Sequence, residues 1–318
     1  MLAVELGNRQ VEVIQTPKPR RRSGYSLLRL RMAGICNTDI ELLRGYYGFS
    51  GRPGHEFVAD VVESDTAALN GKRVVGEINL ACRKCEWCAK GLGRHCPNRT
   101  VLGIVNHPGA FAEYLTLPDA NLFPVPDNIR DEHAVFVEPL AAACEILDQV
   151  AIPQGARVAV LGDGKLGLLI AQVLAVHGAR VLQFGKHEDK LRIARKAGAT
   201  TEITGKRTPV AEFDFVVEAT GSAKGLVAAV QMVKPRGTIV MKSTVHEPVR
   251  IDTAPVIVNE VTLVGSRCGR FEPALALLES GRIELDDLIS SSFPLSRAPA
   301  ALRMAKKRGV LKVLLSAG

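Results

Sequence analysis

The sequence predicts an α/β protein with two domains, one rich in β-strands and one built on a doubly wound parallel sheet. The first observation is length, because the chain has 318 residues and a single hydrophobic core usually stops growing at roughly 250–300 residues. The second is a change near residue 155 from short strands to alternating strands and helices. We expect the β-rich domain over residues 1–139, completed by 268–318, and the parallel-sheet domain over residues 140–267.

The first domain is predicted to consist mainly of short strands. Glycine, proline and asparagine punctuate its apolar segments at short spacing, which is typical of a barrel or a sandwich. A helix is also predicted, with a break or kink at Pro139, because proline lacks the N–H that a helix interior needs. The candidate strands are 11–14, 26–32, 57–62, 73–75 and 111–117, and the candidate helix is 131–150.

The second domain alternates strands and helices, which indicates a parallel sheet with helical crossovers. The helix at 165–177 is apolar nearly all round, so we expect it to be buried. The tail after about residue 270 is too short to form a domain, and we expect it to pack on the first one. The candidate strands are 157–161, 180–184, 213–217, 238–241 and 261–264, and the other candidate helices are 188–197 and 222–233.

Composition is that of a globular protein, with 47% hydrophobic and 23% charged residues. The net charge of +8 comes with only two short basic runs, 20–22 and 306–308, and without a nucleic-acid-binding signature. We therefore interpret these runs as solvated surface and expect no nucleic-acid partner. Because the sequence has no signal-peptide pattern and no apolar run of membrane-spanning length, we expect a cytoplasmic protein without a membrane partner.

A glycine-rich turn lies between the predicted strand 157–161 and the helix that follows it. The pattern G-x-G-x-x-G in this context predicts a dinucleotide site in a Rossmann domain. Its first glycine allows the tight turn, the second lets the backbone approach a pyrophosphate, and the third lets the helix pack on the strand. The helix N-terminus then attracts the negative charge. The residues of the turn are Gly162, Asp163, Gly164, Lys165, Leu166 and Gly167.

The end of the second strand of this domain distinguishes NAD from NADP. An NAD site usually carries an acid there, which bonds the ribose 2′-hydroxyl. Here Gly185 occupies that position, and Lys186 and His187 follow it. A small residue leaves room for a 2′-phosphate that Lys186 can neutralise, so we predict NADP rather than NAD. Alternatively, Lys186 and His187 are only exposed loop residues, and Glu188 or Asp189 bonds the hydroxyl.

Four of the seven cysteines crowd into the segment 82–96. In a reduced cytosolic protein such a cluster binds metal more often than it forms disulfides. Zinc takes four thiolates tetrahedrally in closed, structural sites, so we predict a structural zinc. The alternative is a set of free or redox-active thiols. The four cysteines are Cys82, Cys85, Cys88 and Cys96.

Three separate segments supply candidate ligands for a different metal. They contain Cys36, the pair His55-Glu56, and Glu138. A thiolate, an imidazole and a carboxylate suit a catalytic zinc that keeps an open position for water or substrate. Taken singly, each residue is unremarkable, since a lone cysteine is usually a small core residue.

The order of these motifs resembles the zinc-containing medium-chain dehydrogenase/reductase family over essentially the whole chain. The matching segments are Cys-x-Thr-Asp at 36–39, Gly-His-Glu at 54–56, the four cysteines, Glu-Pro-Leu at 138–140 and the glycine turn. The Glu-Pro-Leu segment is similar to the sorbitol and threonine dehydrogenase branches, and 36–45 resembles archaeal-type glucose dehydrogenases. The resemblance implies a GroES-like first domain, a Rossmann second domain, and a homodimer or homotetramer.

The same resemblance implies two zinc ions per chain. It implies that Cys36, His55 and Glu138 bind the catalytic zinc, that Glu56 is a fourth or exchanging ligand, and that the cysteine cluster binds the structural one. Thr38 resembles the residue with which the family begins its proton relay. The implied reaction is hydride transfer between a small alcohol, polyol or sugar and NAD(P).

Several further residues take a role from the resemblance. Many relatives carry histidine at the position of Glu41, whose carboxylate can take a proton or bond a sugar hydroxyl; the alternative is a solvated helix residue. Thr220 and Gly221 are expected near the nicotinamide half of the cofactor. Lys312 stands where many relatives place a basic residue for the pyrophosphate, and the alternative is a surface lysine.

Two other functions compete with this interpretation. One is a zinc-free quinone or enone reductase on the same fold, although such relatives usually lack the metal ligands. The other is a non-catalytic NADP-binding module. The substrate pocket is the least defined feature, and its candidate wall residues are Tyr46, Tyr47, Phe49, His107 and Arg267.

Overall fold

The computed structural model describes residues 1–7, 9–207, 209–245 and 248–317, except for the side chain of Tyr47. The chain divides into two compact units. Unit 1 comprises Met1–Glu138, Phe271–Glu279 and Ile289–Gly318, and unit 2 comprises Pro139–Arg270 and Ser280–Leu288.

The strands and helices are numbered in chain order. The strands are β1 (Leu2–Gly7), β2 (Gln10–Gln15), β3 (Tyr25–Gly34), β4 (Glu56–Glu63), β5 (Arg73–Gly76), β6 (Asn79–Leu80), β7 (Thr100–Leu102), β8 (Asn106–His107), β9 (Tyr114–Pro118), β10 (Leu122–Pro124), β11 (Arg157–Leu161), β12 (Arg180–Gly185), β13 (Thr200–Ile203), β14 (Phe213–Glu218), β15 (Val233–Met241), β16 (Thr262–Gly265), β17 (Ile289–Pro294) and β18 (Lys312–Ser316). The helices are α1 (Asn37–Leu43), α2 (Glu86–Ala89), α3 (Asp131–Ala134), α4 (Val137–Gln149), α5 (Lys165–His177), α6 (Glu188–Lys196), α7 (Ala223–Met232), α8 (Ala254–Val258), α9 (Phe271–Glu279) and α10 (Ala298–Ala305).

Unit 1 is organised around a seven-stranded sheet of order β10-β5-β4-β3-β18-β17, with β9 also pairing with β3. Two smaller sheets, β1-β2 and β6-β7-β8, complete it. The register matters for function, because Gly34 at the end of β3 pairs with Glu56 at the start of β4 and with Leu314 of β18. The chain segments that carry Cys36, His55 and Lys312 are therefore brought to one edge of this sheet.

Unit 2 contains the predicted doubly wound sheet, which is confirmed. Its six strands are all parallel, in the order β13-β12-β11-β14-β15-β16. The order reverses at β11, and ligands of open α/β sheets bind at the carboxyl ends of the strands at such a point. Residues 167–174 of α5 are all buried, which confirms the expectation for this apolar helix.

Two predictions about Pro139 and the tail differ from the structure. The helical segment breaks between α3 and α4, and Pro139 lies in the first turn of α4, where backbone N–H groups have no partner within the helix in any case. The tail does not pack as one piece, since Ser280–Leu288 groups with unit 2. The fully buried amide of Gln172 explains this grouping, because it donates to the carbonyl of Glu284 at 3.0 Å and accepts its N–H at 2.8 Å.

Arg21, which belongs to the first basic run, forms ion pairs on the surface of unit 1. Arg21 lies 2.9 Å from Glu63 and 2.6 Å from Asp65. The hydrogen bonds that Arg21 donates to Glu63 and Asp65 raise its pKa above the ordinary value. Across the described residues, no helix combines the length and the apolar character that crossing a membrane requires.

Candidate zinc centre and dinucleotide site

Three of the four residues predicted to bind a catalytic zinc come together in unit 1. One ligand atom from each of Cys36, His55 and Glu56 lies within 4.8 Å of the others. His55 and Glu56 are buried, whereas Cys36 is partly accessible. The cluster forms because the ends of β3 and β4 are neighbours in the sheet.

Asp39 fixes the two segments that carry this cluster. Its fully buried carboxylate accepts the N–H of Cys36 at 2.9 Å and the N–H of Gly54 at 3.1 Å. The first of these bonds also closes a reciprocal cap at the start of α1. The contacts of Asp39 therefore both cap α1 and hold the segment that carries Cys36.

The donor set around His55 fits a zinc ion. Burial lowers the pKa of His55, but the carboxylate of Asp39 and the sulfur of Cys36 raise it, and the net pKa stands well above the usual range. Nδ1 of His55 is buried, lies 3.5 Å from Asp39 and makes no hydrogen bond to a described residue. The surroundings of His55 favour a positive charge, and the site offers sulfur, nitrogen and oxygen donors. Both properties match the preferences of a zinc ion.

Glu56 forms a buried ion pair with Lys312, and each of these side chains is 1% exposed. The pair packs against the bare backbone of Gly34, where an added Cβ would lie 2.6 Å from the Glu56 carboxylate. The ammonium of Lys312 also lies 5.3 Å from the ring centroid of Phe136. Lys312 is therefore buried and not a surface lysine, and its contact with the cofactor pyrophosphate stays a prediction.

Glu138 lies in the first turn of α4 and is not part of the three-residue cluster found among the described residues. Burial raises the pKa of Glu138 to about 7, the charge of His55 opposes this shift, and the carboxylate of Glu56 adds to it. Two carboxylates that share one site repel each other unless a cation lies between them. The role of Glu138 as a zinc ligand therefore stays a prediction.

Thr38 and Glu41 both lie on α1. The thiol of Cys36 donates to Oγ1 of Thr38 at 3.7 Å, so the hydroxyl is adjacent to the cluster. Glu41 pairs with Arg44 at 2.6 Å, one turn further along the helix. Arg44 is a partner that the sequence analysis missed, and a catalytic role of Glu41 stays a prediction.

The four clustered cysteines have the spacing of a tetrahedral zinc site. Thiolates bound about 2.3 Å from one zinc stand about 3.8 Å apart. The observed sulfur–sulfur distances are 4.0 Å for Cys82–Cys88, 3.5 Å for Cys85–Cys88 and 3.7 Å for Cys85–Cys96. The backbone N–H of Lys84 lowers the pKa of Cys82 to about 6, which favours the thiolate. The geometry fits a closed structural site.

In unit 2, the glycine turn meets the steric requirements that the sequence predicted. Gly162 has φ +114°, and an added Cβ would lie 2.6 Å from the carbonyl oxygen of Ala219. A Cβ on Gly167 would lie 2.3 Å from the carbonyl oxygen of Gly162. By contrast, nothing lies within 4 Å of a Cβ on Gly164, which leaves open space at the N-terminus of α5. Such a cradle fits a pyrophosphate.

The turn after β12 is tied to the glycine turn by Asp163. Its Oδ2 accepts the N–H groups of Lys186 and His187 at 2.7 Å and 2.8 Å, and Nδ1 of His187 at 2.9 Å. Gly185, Lys186 and His187 are thus brought beside the glycine turn, while Lys165 and Leu166 form the first turn of α5. Sequence reasoning grouped Asp163 with the glycine turn but did not anticipate these contacts.

Thr220 and Gly221 follow the carboxyl end of β14, where a buried carboxylate orders them. Glu218 accepts the N–H of Thr220 at 2.7 Å and the hydroxyl of Ser243 at 2.5 Å. Ser243 in turn accepts the N–H of Gly221 at 2.9 Å. Ser243 was missed by the sequence analysis, and an acid at the end of an apolar strand was the available signal.

The residues expected to form the wall of the substrate pocket lie in different places, and their role stays a prediction. Phe49 and His107 line a cavity of about 620 Å³ in unit 1, together with Arg52. Tyr46 packs instead against the apolar cluster around Leu42. The side chain of Tyr47 lies outside the described residues, and Arg267 belongs to unit 2.

Two models of known protein families match the chain, one within unit 1 and one mainly within unit 2. Residues 22–127 match the alcohol dehydrogenase GroES-like domain, and residues 166–280 match the zinc-binding dehydrogenase domain. The D-arabinitol dehydrogenase 1 of Uromyces fabae is 30% identical, over 96% of this chain and 93% of its own length. The chain belongs to the zinc-containing medium-chain dehydrogenase/reductase family. The resemblance drawn from the motifs is thereby confirmed.

Two solved structures share the fold of this dehydrogenase. A protein of Sinorhizobium meliloti 1021 solved with NADP is 29% identical, with a TM-score of 0.91 over 99% of this chain and 98% of that one. An alcohol dehydrogenase of Escherichia coli CFT073 solved with NADH is 26% identical, with a TM-score of 0.91 and 99% coverage of both chains.

The relatives also confirm the predicted reaction class. Those with curated names include dehydrogenases of sorbitol, D-altritol and L-threonine as well as D-arabinitol. The chain is an oxidoreductase that transfers a hydride between an alcohol or polyol and NAD(P). These findings favour that function over the two competing ones, the zinc-free reductase and the non-catalytic module.

Proposed function

We propose that this dehydrogenase carries two zinc ions per chain and acts on a polyhydroxy substrate with NADP as its preferred cofactor. The observation that carries the proposal is the cluster of Cys36, His55 and Glu56, in which Nδ1 of His55 lacks a hydrogen bond to a described residue. A polyol is favoured because relatives that align over nearly the whole chain are named for polyols.

Cys36, His55, Glu56 and Glu138 would hold the catalytic zinc. When bound, that ion supplies a Lewis acid that lowers the pKa of a substrate hydroxyl. Asp39 holds the Cys36 and His55 segments in place through its two backbone contacts. The hydroxyl of Thr38 lies next to Cys36 and is placed to receive the proton that the substrate loses.

The second zinc would be held by Cys82, Cys85, Cys88 and Cys96. Because four thiolates leave no open position, this site stabilises the lobe 82–96 and takes no part in the reaction. Reduced thiolates in two sites are consistent with the cytoplasmic location that we propose.

The preference for NADP follows from the end of β12. Gly185 stands at the position where an acid would bond a 2′-hydroxyl, and Lys186 beside it is exposed. The two solved relatives hold NADP in one case and NADH in the other, so the preference must be argued from this chain's own residues.

We also infer that the protein is a homodimer that forms through β16. This strand lies at the edge of the parallel sheet, paired only with β15 among the described strands. Its Leu263 is 39% exposed, and Ile257 and Val258 of the preceding helix α8 are 72% and 79% exposed. An unpaired apolar edge strand invites pairing with another chain.

A metal and turnover assay tests the catalytic proposal. Zinc content would be measured together with absorbance at 340 nm on primary alcohols, secondary alcohols, polyols, aldoses and threonine, each with NAD and NADP. We expect two zincs per chain, turnover of polyols, and loss of one zinc and of turnover in Cys36→Ser. Cys268→Ser, outside both clusters, is the matched control. Two zincs and full turnover in Cys36→Ser would overturn the assignment.

A further inference from the structure

Asp163 makes an unusual set of contacts for a residue inside a glycine turn. The side chain of this residue reaches across to the end of β12, and one oxygen accepts three hydrogen bonds there. Two come from backbone N–H groups of the turn 185–187, and the third comes from the ring of His187. The carboxylate therefore fixes both the path of that turn and the orientation of the imidazole.

Gly185 is required by Asp163 as well as by the cofactor. An added Cβ on Gly185 would lie 2.6 Å from Cβ of Asp163 and 2.8 Å from its Oδ2. Real Cβ atoms do not approach other atoms that closely. Other Rossmann domains carry an acid at the end of this strand. Here the carboxylate of Asp163, which belongs to the glycine turn, occupies that space and is hydrogen-bonded to the turn 185–187.

The two charged groups of this turn differ in exposure, because the carboxylate of Asp163 is buried and the ammonium of Lys186 is exposed. Burial raises the pKa of Asp163, but hydrogen bonds from the His187 ring and from the two N–H groups lower it, and the net pKa lies below the usual range. Asp163 is 9% exposed and ionised, so its charge faces the turn. Lys186 is exposed, and Nε2 of His187 is buried without a hydrogen-bond partner among the described residues.

We propose that Asp163 is a positioning residue for cofactor selection, which holds the turn 185–187 so that Lys186 receives the 2′-phosphate of NADP. The inference deepens the proposed function and rests on it. The ring of His187, with Nδ1 2.9 Å from Oδ2 of Asp163 and Nε2 buried, packs against this turn and helps to fix its path. The ammonium of Lys186 is exposed beside it and can form a charge-assisted hydrogen bond to a phosphate oxygen.

Direct binding tests this without knowledge of the substrate. Isothermal titration calorimetry on the zinc-loaded protein would give Kd for NADP, NAD and 2′,5′-ADP. Asp163→Asn keeps the shape but removes the charge that holds His187. His187→Asn keeps a donor near the position of Nδ1 but loses the rest of the ring. Glu260→Gln, an exposed carboxylate-to-amide change elsewhere in unit 2, is the matched control.

We expect the wild-type protein to bind NADP more tightly than NAD. Asp163→Asn and Lys186→Ala should each weaken the binding of NADP and 2′,5′-ADP by roughly ten- to a hundredfold, the factor that a charge-assisted hydrogen bond is worth. His187→Asn, which keeps one contact to Asp163, should weaken their binding less. The affinity for NAD should change by less than about threefold, because NAD lacks the phosphate that Lys186 contacts. Glu260→Gln should leave the binding of all three ligands unchanged.

Three results would overturn the inference. If Asp163→Asn weakened NAD and spared NADP, Asp163 would be a ribose-hydroxyl acceptor. If it weakened both equally, its role would be structural only. If the wild type preferred NAD, the 2′-phosphate site would not exist. If the protein bound no nucleotide at all, the proposed function itself would be refuted. If it turned over polyols but the variants bound NADP and NAD with equally reduced affinity, only this inference would be refuted.

Discussion

The buried pair of Glu56 and Lys312 gives a quantitative prediction for Lys312→Met. Both side chains are 1% exposed, and methionine has a similar volume without the charge. Removing one partner of a buried pair leaves the other uncompensated, at a cost of about 3–5 kcal/mol. We therefore expect the free energy of unfolding of the zinc-free protein to fall by about that amount.

Zinc should offset part of this loss. A cation bound at the cluster would neutralise Glu56, so the destabilisation by Lys312→Met should be smaller in the zinc-loaded protein. The assay is urea unfolding with and without a chelator, followed by circular dichroism and by the fluorescence of Trp87, the single tryptophan. Lys90→Met breaks the exposed pair with Glu86 and should cost less than about 1 kcal/mol. Equal small effects of both variants would refute the reasoning about burial.

Three other predictions follow from the site and the sheet edge. Cys88→Ser should lower the zinc content by one ion while the variant loses about 4 kcal/mol of stability, as for the loss of a bound metal; metal analysis and thermal unfolding check this, and unchanged zinc would contradict the four-thiolate site. Leu263→Lys should halve the mass measured by light scattering, because a charge would be buried at the proposed β16 interface, whereas Val62→Lys, at an exposed position of β4, should leave the mass unchanged. Gly185→Asp should destabilise unit 2 through its clash with Asp163, and Asp163→Gly in the same chain should relieve it; an unaffected melting temperature in Gly185→Asp would show that the two side chains fit together.

The elements of unit 2 followed from the sequence because their signals are local. The segments predicted at 157–161 and 165–177 agree to the residue with β11 and α5, since an apolar strand, a glycine turn and an apolar helix are contiguous. The first domain was harder, because strands as short as β6 and β8 contain too few residues for a period to be visible.

The contacts of Lys312 and Asp163 could not be read from the sequence. Glu56 and Lys312 are separated by 256 residues, and only the insertion of β18 beside β3 makes them neighbours. Asp163 sits at a position of the glycine pattern that any residue can occupy, so the pattern says nothing about where its side chain goes. In both cases sheet register decided the contact, and no residue type signals register over such distances.

The buried amide of Gln172 has a consequence for how the protein is made. The chain passes between the two units four times, after residues 138, 270, 279 and 288. The partner of Gln172 lies at Glu284, so this amide cannot be satisfied until residue 284 has been synthesised, and a buried unsatisfied amide costs about 1–3 kcal/mol. A truncated fragment such as 139–270 would carry this defect permanently. Completion of unit 2 therefore waits for the synthesis of Ser280–Leu288, and a product terminated before this segment would be a better target for proteolysis than one that contains it.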